Sequence, residues 1–241
     1  MREILNGKKA LLLDMNSTFM FEEDRFGENE DYSAYYHGID HEIDREKEGT
    51  LPASEVNQII SDAYQYLDER YPDETYRLHF PSVETALLET CSQPLNRREI
   101  DRLIATFSFH ELGIIPPDYT AALHDLADRF TLAAVIDIWS PSVAWRETFR
   151  QLEIEELFAA ISFSSDHGIV KPSPLPFERV LKQLELSPEE ALVIGDSARR
   201  DLGGASSAGI GTILVGTQHQ DALASFPNLL AFRDSVLESA Y

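Results

Sequence analysis

From residue 118 onward the chain alternates helix-like stretches with short apolar runs, and this alternation restricts the fold more than any other feature. A helix-like segment from Ala121 to Arg129 precedes an apolar run from Leu132 to Ile138. The pattern then repeats as a helix near 142–151, a strand near 160–163, a helix near 176–184, a strand at 191–194, a helix near 201–208 and a strand at 212–215. Strands separated by helices pair in parallel and carry helices on both faces, which predicts an α/β, Rossmann-like core. Near the N-terminus, Lys8-Lys9-Ala10-Leu11-Leu12-Leu13 reads as one more buried strand, although a run this short also fits a helix. It ends abruptly at Asp14-Met15-Asn16-Ser17-Thr18, and ligands of open α/β sheets bind outside the carboxyl ends of the strands.

Residues 19–115 have a different texture. Between Glu22 and Glu48 eleven acids face only Arg25, Arg45 and Lys47, with Tyr32, Tyr35 and Tyr36 interleaved, so a solvated, partly irregular segment is expected there. Helices follow near 54–70, 82–91 and 96–110. Ser54 and Glu55 suit the start of the first, whose apolar members Val56, Ile59, Ile60, Tyr64 and Leu67 keep a helical period, and Asn96 suits an N-cap. Gly113-Ile114-Ile115-Pro116-Pro117 is a breaker and the candidate domain boundary. The expected division is a core of residues 1–18 and 116–241 with a helical unit of residues 19–115 inserted after the first strand.

Charge narrows the function. Forty-two Asp and Glu against 20 Lys and Arg give a net charge of −22, which argues against nucleic acid and anionic membranes as partners, because both are bound through cations. Cys91 is the only cysteine, so neither an intrachain disulfide nor a multi-cysteine metal site can form, and it reads as a packed small hydrophobe. The first residues lack a signal-peptide core, and no window has the apolar length of a membrane span, so a cytoplasmic home is expected. Walker A, GxGxxG and GxSxG patterns are absent.

Three polar groups follow apolar segments: Asp14, Lys171 within Gly168-Ile169-Val170-Lys171-Pro172, and Asp196 after Ala191-Leu192-Val193-Ile194-Gly195. Alone, each aspartate is a turn or cap residue and the lysine a surface lysine. As a set on parallel strands they put two carboxylates and a cation at one sheet edge. Oxygen ligands of that kind suit Mg²⁺, and a carboxylate can act as nucleophile. Gly195 permits close backbone approach, and Asp201 is placed to support Asp196.

Asp14-Met15-Asn16-Ser17-Thr18, Lys171-Pro172 and Gly195-Asp196-Ser197-Ala198-Arg199-Arg200-Asp201 resemble three motifs of the haloacid dehalogenase superfamily of hydrolases. The resemblance covers residues 8–18 and about 116–216, and 19–115 is similar to the helical cap that many members insert. It implies a phosphatase acting on a small phosphorylated substrate, with a nucleophilic Asp14 and a Mg²⁺ held by Asp14, Asp196 and the backbone carbonyl of Asn16. It further implies that Lys171 offsets the charge of nucleophile and substrate, and that Asp201 orients the metal's water or adds a ligand.

Two positions depart from the pattern. Where phosphatases of the family carry a second aspartate, an acid and base, this chain has Asn16, whose amide cannot transfer a proton, at a typical cost of about 10²–10⁴-fold. Where a hydroxyl after the second strand holds the phosphate, Ile136 stands, leaving Ser140 or Ser142 as substitutes, and Asp137 nearby repels an anion. A metal-independent dehalogenase, and a weakly active or non-catalytic binding relative, are the alternative readings. His37 and His41 have a spacing that fits a metal on a helical turn but also a solvated loop. Phe19, Phe21, Phe26 and the tyrosines fit either the substrate side of a cap or its own small core. Substrate identity and oligomeric state are not written in the sequence.

Overall fold

The structure, a computed structural model, describes residues 1–27, 29–39 and 51–239. Six parallel strands form one sheet: β1 (Ala10–Leu13), β2 (Thr131–Ile136), β3 (Phe158–Phe163), β4 (Ala191–Gly195), β5 (Gly211–Val215) and β6 (Ala224–Phe226), in the order β3-β2-β1-β4-β5-β6. The helices are α1 (Arg2–Leu5), α2 (Tyr32–Gly38), α3 (Ala53–Arg70), α4 (Val83–Thr90), α5 (Arg97–Glu111), α6 (Pro117–Ala127), α7 (Val143–Gln151), α8 (Leu175–Leu184), α9 (Gly203–Ser207) and α10 (Leu229–Glu238). Among the described residues no helix is long and apolar enough to cross a membrane.

The apolar runs have a simple cause. Side chains of a strand alternate between faces, and both faces of this sheet are covered. Leu11 and Leu13 point into a core shared with Leu123 and Leu126 of α6, Trp145 and Phe149 of α7, and Phe232 of α10. Ala10 and Leu12 point the other way, against Phe177, Val180 and Leu181 of α8 and Ala205 of α9. β1 lies between β2 and β4 with Leu13 in register with Ala134 and Ile194, so the residues just past these strands meet at one edge.

Helices α2 to α5 enclose a second apolar cluster that includes Tyr32, Tyr36, Val56, Ile60, Leu67, Leu87, Leu103 and Phe107. Asn96 caps α5 with a reciprocal box to Glu99, as its position predicts. Within the acidic stretch, of which residues 28 and 40–48 lie outside the described residues, Tyr32–Gly38 is helical, Asp31 accepts from the Ser33 amide at its start, and Tyr32 and Tyr36 are buried. The aromatic residues there outweigh the acids because burying rings stabilises more than solvating the charges between them. For Tyr32 and Tyr36 the small-core reading holds, and Phe19 belongs to the main core. Phe26 is partly buried and stacks on Tyr64. His37 Nε2 lies 3.0 Å from the Leu51 carbonyl oxygen, while Asp40 and His41 lie outside the described residues.

The helical segment meets the sheet edge at several places. Phe21 and Ile114 exchange backbone hydrogen bonds as an antiparallel bridge, and Gly113 is required beside it because a Cβ there would lie 2.5 Å from the Phe21 carbonyl oxygen. The Phe80 amide donates to the Gly168 carbonyl (2.7 Å), and the Val170 amide to that of Arg77 (3.0 Å). Tyr71, just past α3, donates its phenol to Asp137 Oδ2 at 2.7 Å.

Candidate active site

Asp14 follows β1 directly, and its amide continues the ladder by donating to the Ile194 carbonyl (2.8 Å). Its side chain is 5 % exposed. Lys171, in the loop between β3 and α8, is buried and donates to Asp14 Oδ1 (2.5 Å), Asp201 Oδ1 (2.7 Å) and the Val135 carbonyl (3.1 Å). Its own amide donates to Asp137 Oδ2 (2.9 Å). Asp196 follows β4, and its Oδ1 lies 3.3 Å from Nη2 of Arg200.

Asp201 is held at both oxygens, by Lys171 and by the Ser197 amide (3.0 Å), and packs directly on Gly195. It lies in the π-helical turn Ala198–Leu202, whose start is capped by the Ser197 hydroxyl. One oxygen each from Asp14, Asp196 and Asp201 lie within 4.8 Å of one another. The structure therefore brings Asp14, Lys171, Asp196 and Asp201 together.

Electrostatics follow from burial. Four carboxylates, Asp14, Asp137, Asp196 and Asp201, adjoin two cations, Lys171 and Arg200, a formal −2. Burial, with mutual repulsion among several of them, pushes the four carboxyls above their ordinary range. Burial alone would drive the Lys171 ammonium down, but Asp14, Asp201 and Asp137 reverse this and hold it charged, well above its ordinary range. A divalent cation fits here on one further ground: the charge left over is two. Asp14 Oδ2 is buried without a hydrogen-bond partner among the described residues.

Asn16 lies in a tight turn bridged to Met20, and its Oδ1 is likewise buried without a partner. Ile136 is buried at the end of β2 in register with Phe163. Ser140 is buried, with its amide donating to Glu111 Oε2 (2.9 Å) and its hydroxyl unpartnered, while Ser142 donates to Asp166. Neither has a hydrogen bond to Asp14 or Lys171.

Sequence reasoning missed Arg200, Tyr71 and Glu111. Arg200 stands inside the quoted stretch around Asp196, and a paired arginine in so acidic a chain was the available signal. No local pattern marks Tyr71 or Glu111, which come from distant helices. Glu111, at the end of α5, accepts the amides of Trp139 (2.5 Å) and Ser140, fixing the loop after β2. Its carboxyl is pushed up to about 7 by burial, against the opposing effect of those amides.

Residues 8–209 match the family model of haloacid dehalogenase-like hydrolases. The chain is similar to glyceraldehyde 3-phosphate phosphatases of Pyrococcus furiosus, 32 % identical over 82 residues (34 % of each chain), and of Pyrococcus abyssi, 33 % identical over 140 residues (57 % of this chain, 58 % of the relative). It thus spans about a third to three fifths of the length of these relatives. The crystal structure of a 2-haloacid dehalogenase from Pseudomonas syringae pv. Tomato DC3000 shares its fold, with a TM-score of 0.63 at 22 % identity over 96 % of this chain and 99 % of that one. By sequence match, parallel topology and the carboxylate–lysine cluster at the strand ends, this chain belongs to the haloacid dehalogenase-like hydrolases.

Proposed function

We propose that this hydrolase is a Mg²⁺-dependent phosphatase of small phosphorylated metabolites that works through a phosphoaspartyl intermediate on Asp14. The observation that carries the reading is the asymmetry of Asp14: Oδ1 is held by Lys171, while Oδ2 is buried and unpartnered beside Asp196. An oriented carboxylate with one oxygen free of hydrogen bonds is a competent nucleophile. The phosphatase names of the two Pyrococcus relatives agree with it.

In this reading Asp14 Oδ2 attacks phosphorus and the bond to the leaving oxygen breaks. Lys171 and Arg200 offset the negative charge gathered at the site. Asp14, Asp196 and the backbone carbonyl of Asn16 would hold Mg²⁺, with Asp201 orienting Lys171 and the ion's surroundings; the ion would supply charge neutralisation for the phosphoryl oxygens. Water then cleaves the acyl phosphate, returning the Asp14 carboxylate and inorganic phosphate. Since Asn16 carries no transferable proton, the leaving oxygen takes its proton from water, and turnover is slow for poor leaving groups.

Residues 19–115 serve as a cap over this edge, as the Tyr71–Asp137 hydrogen bond supports. A panel of phosphate esters with and without Mg²⁺ tests the assignment: turnover that requires Mg²⁺ and is abolished in Asp14→Asn is expected. Ile136 and Asn16 favour one second reading, a weakly active or non-catalytic binding relative. An absence of ester turnover with Mg²⁺ would replace the first reading with it, and halide release from 2-haloacids without metal would point instead to a dehalogenase with Asp14 attacking carbon.

A further inference from the structure

Lys171 has no proton left to give a substrate. An ammonium has three donors, and all three are engaged by Asp14, Asp201 and the Val135 carbonyl. At the end of β2, the side chain of Ile136 offers no donor. A phosphoryl group approaching Asp14 would enter a site of four carboxylates, and needs hydrogen bonds from some other cation.

Arg200 is that cation. Its side chain is 27 % exposed where that of Lys171 is 1 % exposed, so of the two cations it is the one that solvent reaches. Its backbone is fixed in the turn Ala198–Leu202 by the amide's hydrogen bond to the Ser197 hydroxyl (3.2 Å). The guanidinium touches Asp196 through Nη2 at 3.3 Å, near the long end of a hydrogen bond, and has the Tyr71 phenol as a further partner. Five N–H groups serve a guanidinium, so donors remain for an anion, in the planar fork that matches phosphate oxygens. Asp196, which it touches, has a carboxylate oxygen within 4.8 Å of one of Asp14, so the guanidinium stands at the same cluster as the attacking carboxylate.

We infer that Arg200 is the residue that binds the substrate's phosphoryl oxygens, in place of the hydroxyl missing at Ile136. The inference rests on the phosphatase reading and adds to it the group that recognises the anion.

Calorimetric titration of inorganic phosphate into the full chain with Mg²⁺ present tests it, on wild type, Arg200→Gln and Arg200→Lys. Charge-assisted bonds of this kind predict that Arg200→Gln weakens phosphate by about 10–100-fold. Arg200→Lys, a point charge without the fork, should fall between and carries the test if the glutamine variant does not fold. Mg²⁺ titrated alone should bind Arg200→Gln at least as tightly as wild type, because a positive charge beside Asp196 is gone. Equal phosphate affinity in wild type and the variants overturns the inference and leaves Arg200 a counter-ion of Asp196, with the phosphatase reading intact. A wild type that binds no phosphate in Mg²⁺ overturns the phosphatase reading, and this inference with it.

Discussion

Gly195 and Asp201 are in direct contact: a Cβ added at Gly195 would lie 2.4 Å from the Asp201 carboxylate carbon. The absent side chain at the end of β4 is thus the space in which Asp201 sits to accept from Lys171. Gly195→Ala should push Asp201 away and release one of the three bonds of Lys171. The expected result is a loss of about 1–3 kcal/mol in denaturant unfolding, from overpacking, together with loss of phosphate-ester turnover. Unchanged stability would mean that Asp201 relocates freely.

Removing Lys171 should be more costly than removing either acid. Lys171→Met leaves Asp14 and Asp201 buried without their ion-pair partner, and breaking a buried pair on one side typically costs about 3–5 kcal/mol. Adding Asp201→Asn to Lys171→Met should recover part of that loss, since one of the unpaired charges disappears. Chemical denaturation of the two single variants and the double variant measures the coupling, and strictly additive losses would contradict it.

Glu111 predicts a pH dependence of stability. Its carboxyl, near 4.5 when unfolded and about 7 when folded, holds a proton in the folded state that the unfolded chain has released between those values. Stability from this group is therefore greatest at low pH and falls as pH rises from about 4.5 to 7, by about 3 kcal/mol in all. Glu111→Gln should flatten that slope relative to wild type even if it costs stability at every pH, because the amide cannot ionise. Parallel pH profiles for the two proteins would refute the assignment.

Asn16 predicts the leaving-group preference. With no acid at position 16, nitrophenyl and acyl phosphates should be turned over faster than sugar phosphates. Asn16→Asp should raise turnover of the poor leaving groups within about 10²–10⁴-fold, at nearly unchanged volume. Steady-state kinetics of wild type, Asn16→Asp, Ile136→Ser and the double variant separate a missing proton carrier from a missing phosphate ligand. Four inert proteins that keep their fold would end the phosphoryl-transfer reading.

Metal binding is expected to depend on Asp196. Two clustered carboxylates, Asp14 and Asp196, would otherwise repel each other, and Asp196→Ala should weaken Mg²⁺ measured by calorimetry at least tenfold. An unaltered affinity places the ion elsewhere.

The core was legible because its information is local. Leu11 to Leu13, Leu132 to Ile136 and Ala191 to Gly195 are apolar on both faces of a covered sheet, and short apolar runs between helices admit few other arrangements. That parallel order also set Asp14 and Asp196 at one edge before any contact was known. What escaped was built from residues that carry no local pattern. Strand β6 and helix α10 close the far edge with weak signals, and α2 hid within an acidic run because Tyr32 and Tyr36 become a core only when α3 and α5 close over them. Tyr71 reaches Asp137 from 66 positions away and Glu111 clamps the Trp139 amide from 28, while Lys171 is spent on Asp14 across 157. Local pattern already showed which groups could do chemistry and along which edge. Which donors were used and which, at Arg200, remained free depended on the folded arrangement, since hydrogen-bond saturation is a property of neighbours in space.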